Sequence, residues 1–181
     1  IRLKMLEESL IIYKKMTTED LATFKGEHYE INEAINQPKP LQKPHPPLWV
    51  CGGGEKVTLK LLAKYGDYGN WDVDVEGFIS KSEILKQHCD KENRNYEEIG
   101  RTLHTNVIIG NDQSDLNNKL EKISYDTGIP KDIFLKKPLV GVKNEVFDKI
   151  DEFESHGCVY LISYIADIVW GDTLDILKEK L

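Results

Sequence analysis

Pro47-Leu48-Trp49-Val50-Cys51 runs directly into Gly52-Gly53-Gly54, and Glu55-Lys56 then opens a segment, Val57 to Lys64, with helical apolar spacing. Strand, glycine turn and helix in that order can receive a phosphate. Glycine leaves no Cβ between an anion and the backbone, and the free N–H groups and positive dipole end of the following helix favour negative charge. The same layout also serves as a purely steric corner, because glycine marks turns of every kind. Lys56 is the cation beside the turn, placed either to pair with a phosphate or to sit in water. Cys51 ends the strand with no base in a recognisable relation to it, so it reads as a small buried apolar residue.

Composition narrows the classes of function. The chain has 181 residues, 40% hydrophobic and 30% charged, as expected of one ordered domain with a sizeable core. With 24 basic against 31 acidic residues the net charge is −7, and no basic face stands out, which argues against nucleic acid as a partner. No apolar run reaches the roughly 18 residues that cross a bilayer, and no signal-peptide pattern is present, so no membrane contact and a cytoplasmic location are expected. Cys51, Cys89 and Cys158 are scattered and form no CxxC pair, and the five histidines lack ligand spacing. Neither a disulfide framework nor a bound metal is expected. The chain opens with Ile1 in what already reads as the middle of a helix, the mark of a piece of a longer polypeptide.

The elements that must position the corner can be followed along the chain. Leu3, Leu6, Leu10, Ile11 and Tyr13 give residues 1–16 one broad apolar face, an amphipathic helix. Thr23 to Ile31 reads as a small β excursion through Gly26. Residues 36–47 hold five of the seven prolines, which fix φ and remove donors, so the segment is an extended connection that delivers the chain into strand 48–51. A helix over 55–64 follows, then a second short strand, 67–71, whose tip carries Asn70, Trp71 and Asp72. Residues 76–92 form a further amphipathic helix, and β-branched 101–110 the clearest strand. Helices over about 113–125 and 143–156 flank an irregular piece with Gly128, Pro130 and Pro138. Cys158 to Ser163 is the last strand, and 173–181 the final helix. Four βα units after a helix and a proline-rich connection predict a parallel α/β sheet covered by helices.

Taken together, Phe24-Lys25-Gly26-Glu27-His28-Tyr29, Gln42-Lys43-Pro44-His45-Pro46-Pro47-Leu48-Trp49-Val50, Gly52-Gly53-Gly54-Glu55-Lys56-Val57-Thr58-Leu59 and Ala63-Lys64-Tyr65-Gly66-Asp67-Tyr68-Gly69-Asn70-Trp71 resemble the luciferase-like monooxygenase superfamily, in particular its coenzyme F420-dependent oxidoreductases. Arg101-Thr102, Gly141-Val142 and Ser155-His156-Gly157-Cys158-Val159 agree. The resemblance implies the C-terminal half of a (β/α)₈ TIM barrel, with residues 1–181 a single partial barrel domain: a preceding helix 1–16, the connection 36–47 and four βα units in 48–181. A whole barrel takes about 250 residues. Pairing with a missing N-terminal half, or self-association through exposed barrel edges, is therefore expected.

The function implied is hydride transfer between a deazaflavin, F420, and a small organic substrate. The alternatives are an FMN-dependent monooxygenase, a half-barrel fragment that binds no cofactor, and a phosphate-ligand barrel enzyme of another kind. By the same resemblance Gly52, Gly53, Gly54 and Glu55 receive the cofactor phosphate, with the Glu55 carboxylate turned outward, while Asn70, Trp71 and Asp72 line the neighbouring loop. His104 is expected to be a hydrogen-bonded core residue, or else a proton donor or substrate contact. Tyr160, Ser163 and Tyr164 either touch substrate or close the barrel, and Trp49 packs between sheet and helix. No catalytic residue is assigned, since the family's catalytic groups lie largely in the other half.

Overall fold

The computed structural model describes residues 1–180. Two compact units emerge, one of residues 1–69 and 84–99, the other of 70–83 and 100 onward. Among the described residues no helix is long and apolar enough to cross a membrane.

The first unit opens with α1 (Arg2–Thr18), followed by an antiparallel hairpin of β1 (Ala22–Lys25) and β2 (Glu30–Ala34). A charged group ties helix to hairpin. The buried Glu8 carboxylate accepts the backbone N–H groups of Glu27, His28 and Tyr29 at 2.8, 3.0 and 2.8 Å. Burial works against its ionised form, but the three N–H donors outweigh that and hold the Glu8 carboxyl below the usual value. The proline-rich stretch then crosses to β3 (Trp49–Cys51), where Val50 is buried and Trp49 and Cys51 face outward. Turn residues 55–57 precede α2 (Thr58–Tyr65), which buries Leu59, Leu61, Leu62 and Ala63. β4 (Tyr68–Trp71) begins here beside β3, with Trp49 stacked on Tyr68 at 4.6 Å between ring centroids. The second half of α3 (Val75–Lys91) and a 3-10 turn (Tyr96–Glu98) complete the unit.

The second unit is built on β5 (Gly100–Gly110), joined by the end of β4. After β5 come α4 (Gln113–Thr127), α5 (Lys131–Leu135), β6 (Leu139–Val142), α6 (Lys143–Ser155), β7 (Cys158–Ile165) and α7 (Thr173–Lys178). Both β6 and β7 pair with β5 in parallel, β6 along Val107–Gly110 and β7 along Arg101–Val107. The long strand therefore carries two partners end to end. Gly128 (φ +71°) ends α4 and Gly157 (φ +86°) lies beyond α6, both in left-handed conformations that glycine adopts without penalty. Ile108, Leu116, Leu120, Ile123 and Phe134 form the core between β5 and its helices, and Trp71, Phe78 and Phe153 pack edge to face in a second cluster.

Several expectations change. Residues 131–142, read as irregular, contain α5 and β6. Helix α2 begins at Thr58 rather than Glu55. Cys51 is exposed rather than buried, because strand alternation sends its neighbour Val50 to the core.

Candidate functional site

At the exit of β3 the backbone from Gly52 to Val57 is exposed. Gly52 has φ +112°, a conformation that side-chain-bearing residues rarely take. A Cβ on Gly54 would come within 2.7 Å of the Thr58 hydroxyl, so the helix start leaves room there only for glycine unless Thr58 turns away. An open cleft of about 390 Å³ adjoins the turn, lined by Leu3, Gly53, Gly54, Lys56, Val57 and Thr58 among others. His88 Nε2 donates to the Glu55 carbonyl at 2.8 Å. In a planar trans peptide the next N–H, that of Lys56, points the opposite way. Gly52, Gly53, Gly54 and Glu55 thus follow one another along an exposed turn with no side chain over its three glycines, a form suited to an anion.

In the second unit Asn70, Trp71 and Asp72 follow one another at the end of β4 but face different surroundings. Asn70 is buried, its side-chain oxygen accepting the Thr102 hydroxyl at 2.9 Å. Trp71 is 1% exposed and its ring packs on Phe78, so its side chain belongs to the core. Asp72 is exposed and pairs with Lys137 at 2.5 Å. β4 ends at Trp71 and is covered on both sides there, so Asn70 and Trp71 are both buried, while Asp72 lies past the strand and is exposed.

The register of β5 and β7 places Thr102, His104 and Asn106 opposite Tyr160, Ile162 and Tyr164 on one face of the sheet. On that face Tyr160 and Tyr164 are 55% and 59% exposed. The His104 ring meets Tyr164 edge-on, centroids 6.0 Å apart, and its Nδ1 is buried without a hydrogen-bond partner. The hydrogen-bonded core position expected for His104 is thus not what the fold provides. Ser163 lies opposite Thr105 on the other face, away from the two tyrosines. Trp49 is 37% exposed and stacked on Tyr68 rather than enclosed between sheet and helix.

Sequence reading missed a polar network at the exit of β5. Lys119 is 5% exposed, donates to the Ile109 carbonyl at 2.6 Å and lies 3.1 Å from Asp115, with Asp172 also against its ammonium. Burial alone would lower the Lys119 pKa, but the two carboxylates raise it. Asp172 is held below the usual carboxylate value mainly by the Lys119 hydrogen bond. Lys119 sits in an otherwise polar helical run, and only the i,i+4 spacing from Asp115 hinted at the pair.

Comparison with known proteins sets these features in context. The fold matches an F420-dependent secondary alcohol dehydrogenase, solved with an F420–acetone adduct, at TM-score 0.80 and 15% identity over 99% of this chain and 61% of that one. It also matches the F420-dependent tetrahydromethanopterin reductase of Methanopyrus kandleri at TM-score 0.71 and 14% identity, over 96% of this chain and 60% of the other. At the sequence level, 89 residues are 31% identical to an FMNH2-dependent dimethylsulfone monooxygenase of Pseudomonas putida, covering 47% of this chain and 23% of the relative. The chain spans about three-fifths of those structures and about a quarter of that relative's length. Its architecture is accordingly α/β, part of the TIM barrel these structures share. The profile of the luciferase-like monooxygenases matches residues 2–157. This chain therefore belongs to the luciferase-like monooxygenase family.

Proposed function

We propose that this chain forms part of an F420-dependent oxidoreductase, in which the Gly52–Gly54 turn receives the cofactor phosphate and hydride passes to or from a small organic substrate. One observation carries the reading: a side-chain-free, solvent-open run of peptide groups at the exit of β3, with Gly52 in a glycine conformation and Gly54 fitted against Thr58. Backbone N–H groups of residues 52–56 bind the phosphate and fix its position. Lys56, exposed beside them, adds charge. The Glu55 carbonyl accepts a hydrogen bond from His88, which occupies one of its lone pairs. Bound there, the deazaflavin supplies hydride donation and acceptance, and the protein binds, orients and excludes water.

Asn70 and Asp72 enter the proposal as polar side chains at the exit of β4, with Trp71 acting through its place in the core. Residues 1–181 are read as one partial barrel domain, completed by a further half. An FMN-dependent monooxygenase is the second reading, favoured by the 31% identity to an FMNH2-dependent enzyme.

Equilibrium dialysis of the chain against F420 and against FMN tests both. Tighter retention of F420 is expected. Tighter retention of FMN replaces the cofactor, and no retention of either, while a full-length version binds, leaves a half-barrel that needs its complement.

A further inference from the structure

We propose that a cleft at the entry end of β3, opposite the glycine turn, binds a small organic oxyanion, a carboxylate or a phosphate monoester, between Lys14 and Arg94. The cleft lies within the first unit and measures about 520 Å³, in the range of small-molecule sites. It is lined by Lys14 of α1, His45 of the proline-rich stretch, Lys64 of α2, Asp67 before β4, and Asn93, Arg94 and Asn95 after α3, with Glu98 at its edge. Asp67 accepts the Leu48 N–H at 2.7 Å, which fixes the cleft at the start of β3. From Leu48 to Gly52 the strand rises about 13 Å, so this site is separate from the turn.

Two cations here have donor capacity that the fold leaves unused. Lys14 Nζ is half-buried and has no hydrogen-bond partner among the described residues. Arg94 spends one N–H on the Ala63 carbonyl at 3.3 Å, while its approaches to Asp67 (3.7 Å) and Glu98 (4.0 Å) are too long for hydrogen bonds. A guanidinium carries five donors in a planar fork suited to a carboxylate or phosphate. Burial and the Arg94 charge push the Lys14 ammonium down, only partly offset by Asp67, so a bound anion relieves an existing cost. Lys64 is already paired with Glu7, and buried His45 faces Asp67 at 3.7 Å. Asp67 is committed to the Leu48 amide. Asp67 keeps its charge beside Arg94, and Glu98, 63% exposed, is the second negative group, at the edge of the cleft.

The test is an NMR titration of the chain with inorganic phosphate, glycerol phosphate and succinate, at constant ionic strength set with chloride, following the Arg94 Nε–H signal. Saturable shifts at Arg94 and His45 are expected, and the strongest probe separates phosphate from carboxylate preference. Lys14→Gln should weaken binding about tenfold, the scale of one hydrogen bond to a charged group. Glu98→Gln should tighten it, an effect that misfolding cannot imitate. Absence of saturation at Arg94, or a Lys14→Gln variant that binds as well as the parent, overturns the proposal, as does a Glu98→Gln variant without a gain. Shifts confined to residues 52–58 overturn it too, while leaving the role of the glycine turn standing.

Discussion

Replacing Gly52 by alanine separates the shape of the turn from its purpose. At φ +112° an alanine is strained wherever its Cβ points, and that Cβ would meet only the Thr58 methyl at 3.7 Å, an ordinary contact. The cost is therefore backbone strain, roughly 1–3 kcal/mol. For a chain of this length each kcal/mol lowers the melting temperature by about 2–4 °C, so Gly52→Ala should melt roughly 2–12 °C below the parent. Gly128→Ala is the matched control, because Gly128 has φ +71° with nothing within 4 Å of the added methyl and no part in the turn. Thermal unfolding by circular dichroism and dialysis against F420 and FMN are run on both variants. Both should lose stability, and only Gly52→Ala should lose cofactor affinity. A Gly52→Ala variant that melts with the parent refutes the left-handed geometry. One that melts early yet binds as tightly refutes the cradle.

The polar network and the aromatic core give two further outcomes. Lys119→Met leaves the Ile109 carbonyl without the Lys119 donor and takes the cation from two carboxylates that keep Asn111 as a donor. Because Asp115 and Asp172 are 33% and 48% exposed, the loss should be about 2–3 kcal/mol in urea unfolding, below that for a fully buried pair. Both aspartates have folded pKa values below their unfolded ones, so the stability they give is present above about pH 4 and disappears as pH falls through the depressed values. That acid-side loss should be smaller in Lys119→Met, and an unchanged pH profile would rule the linkage out. Phe78→Ala, which removes the ring between Trp71 and Phe153, should cost about 3–5 kcal/mol and reduce the near-ultraviolet circular dichroism signal. A cost under about 1 kcal/mol would mean the cluster is not packed as described.

What the sequence revealed and what it hid follow from range. Strand 101–110 was legible because five of its ten residues, Thr102, Thr105, Val107, Ile108 and Ile109, are β-branched, and the proline run because it can form neither helix nor central strand. Residues 131–142 were not, since Gly128, Pro130 and Pro138 suggested loop. Pro130 instead stands just before α5, where its missing N–H costs nothing, and β6 is a four-residue strand paired in parallel with the distant Val107–Gly110. The glycine turn was visible as a corner, but the His88 bond to Glu55 joins residues far apart in sequence. Outward Cys51 and inward Trp71 show the same limit: strands this short carry too little alternation to declare which face is which.

The three tryptophans end up in three unlike settings, which makes the chain its own optical reporter. Trp71 is enclosed, Trp170 lies under the Lys122 ammonium, and Trp49 stacks on Tyr68 just before Gly52. Emission from Trp71 should shift to the red only when the second unit melts, whereas a cofactor whose phosphate seats at the β3 exit should perturb Trp49 first. A Trp71→Phe, Trp170→Phe double variant would leave Trp49 as a single fluorophore reading that event alone.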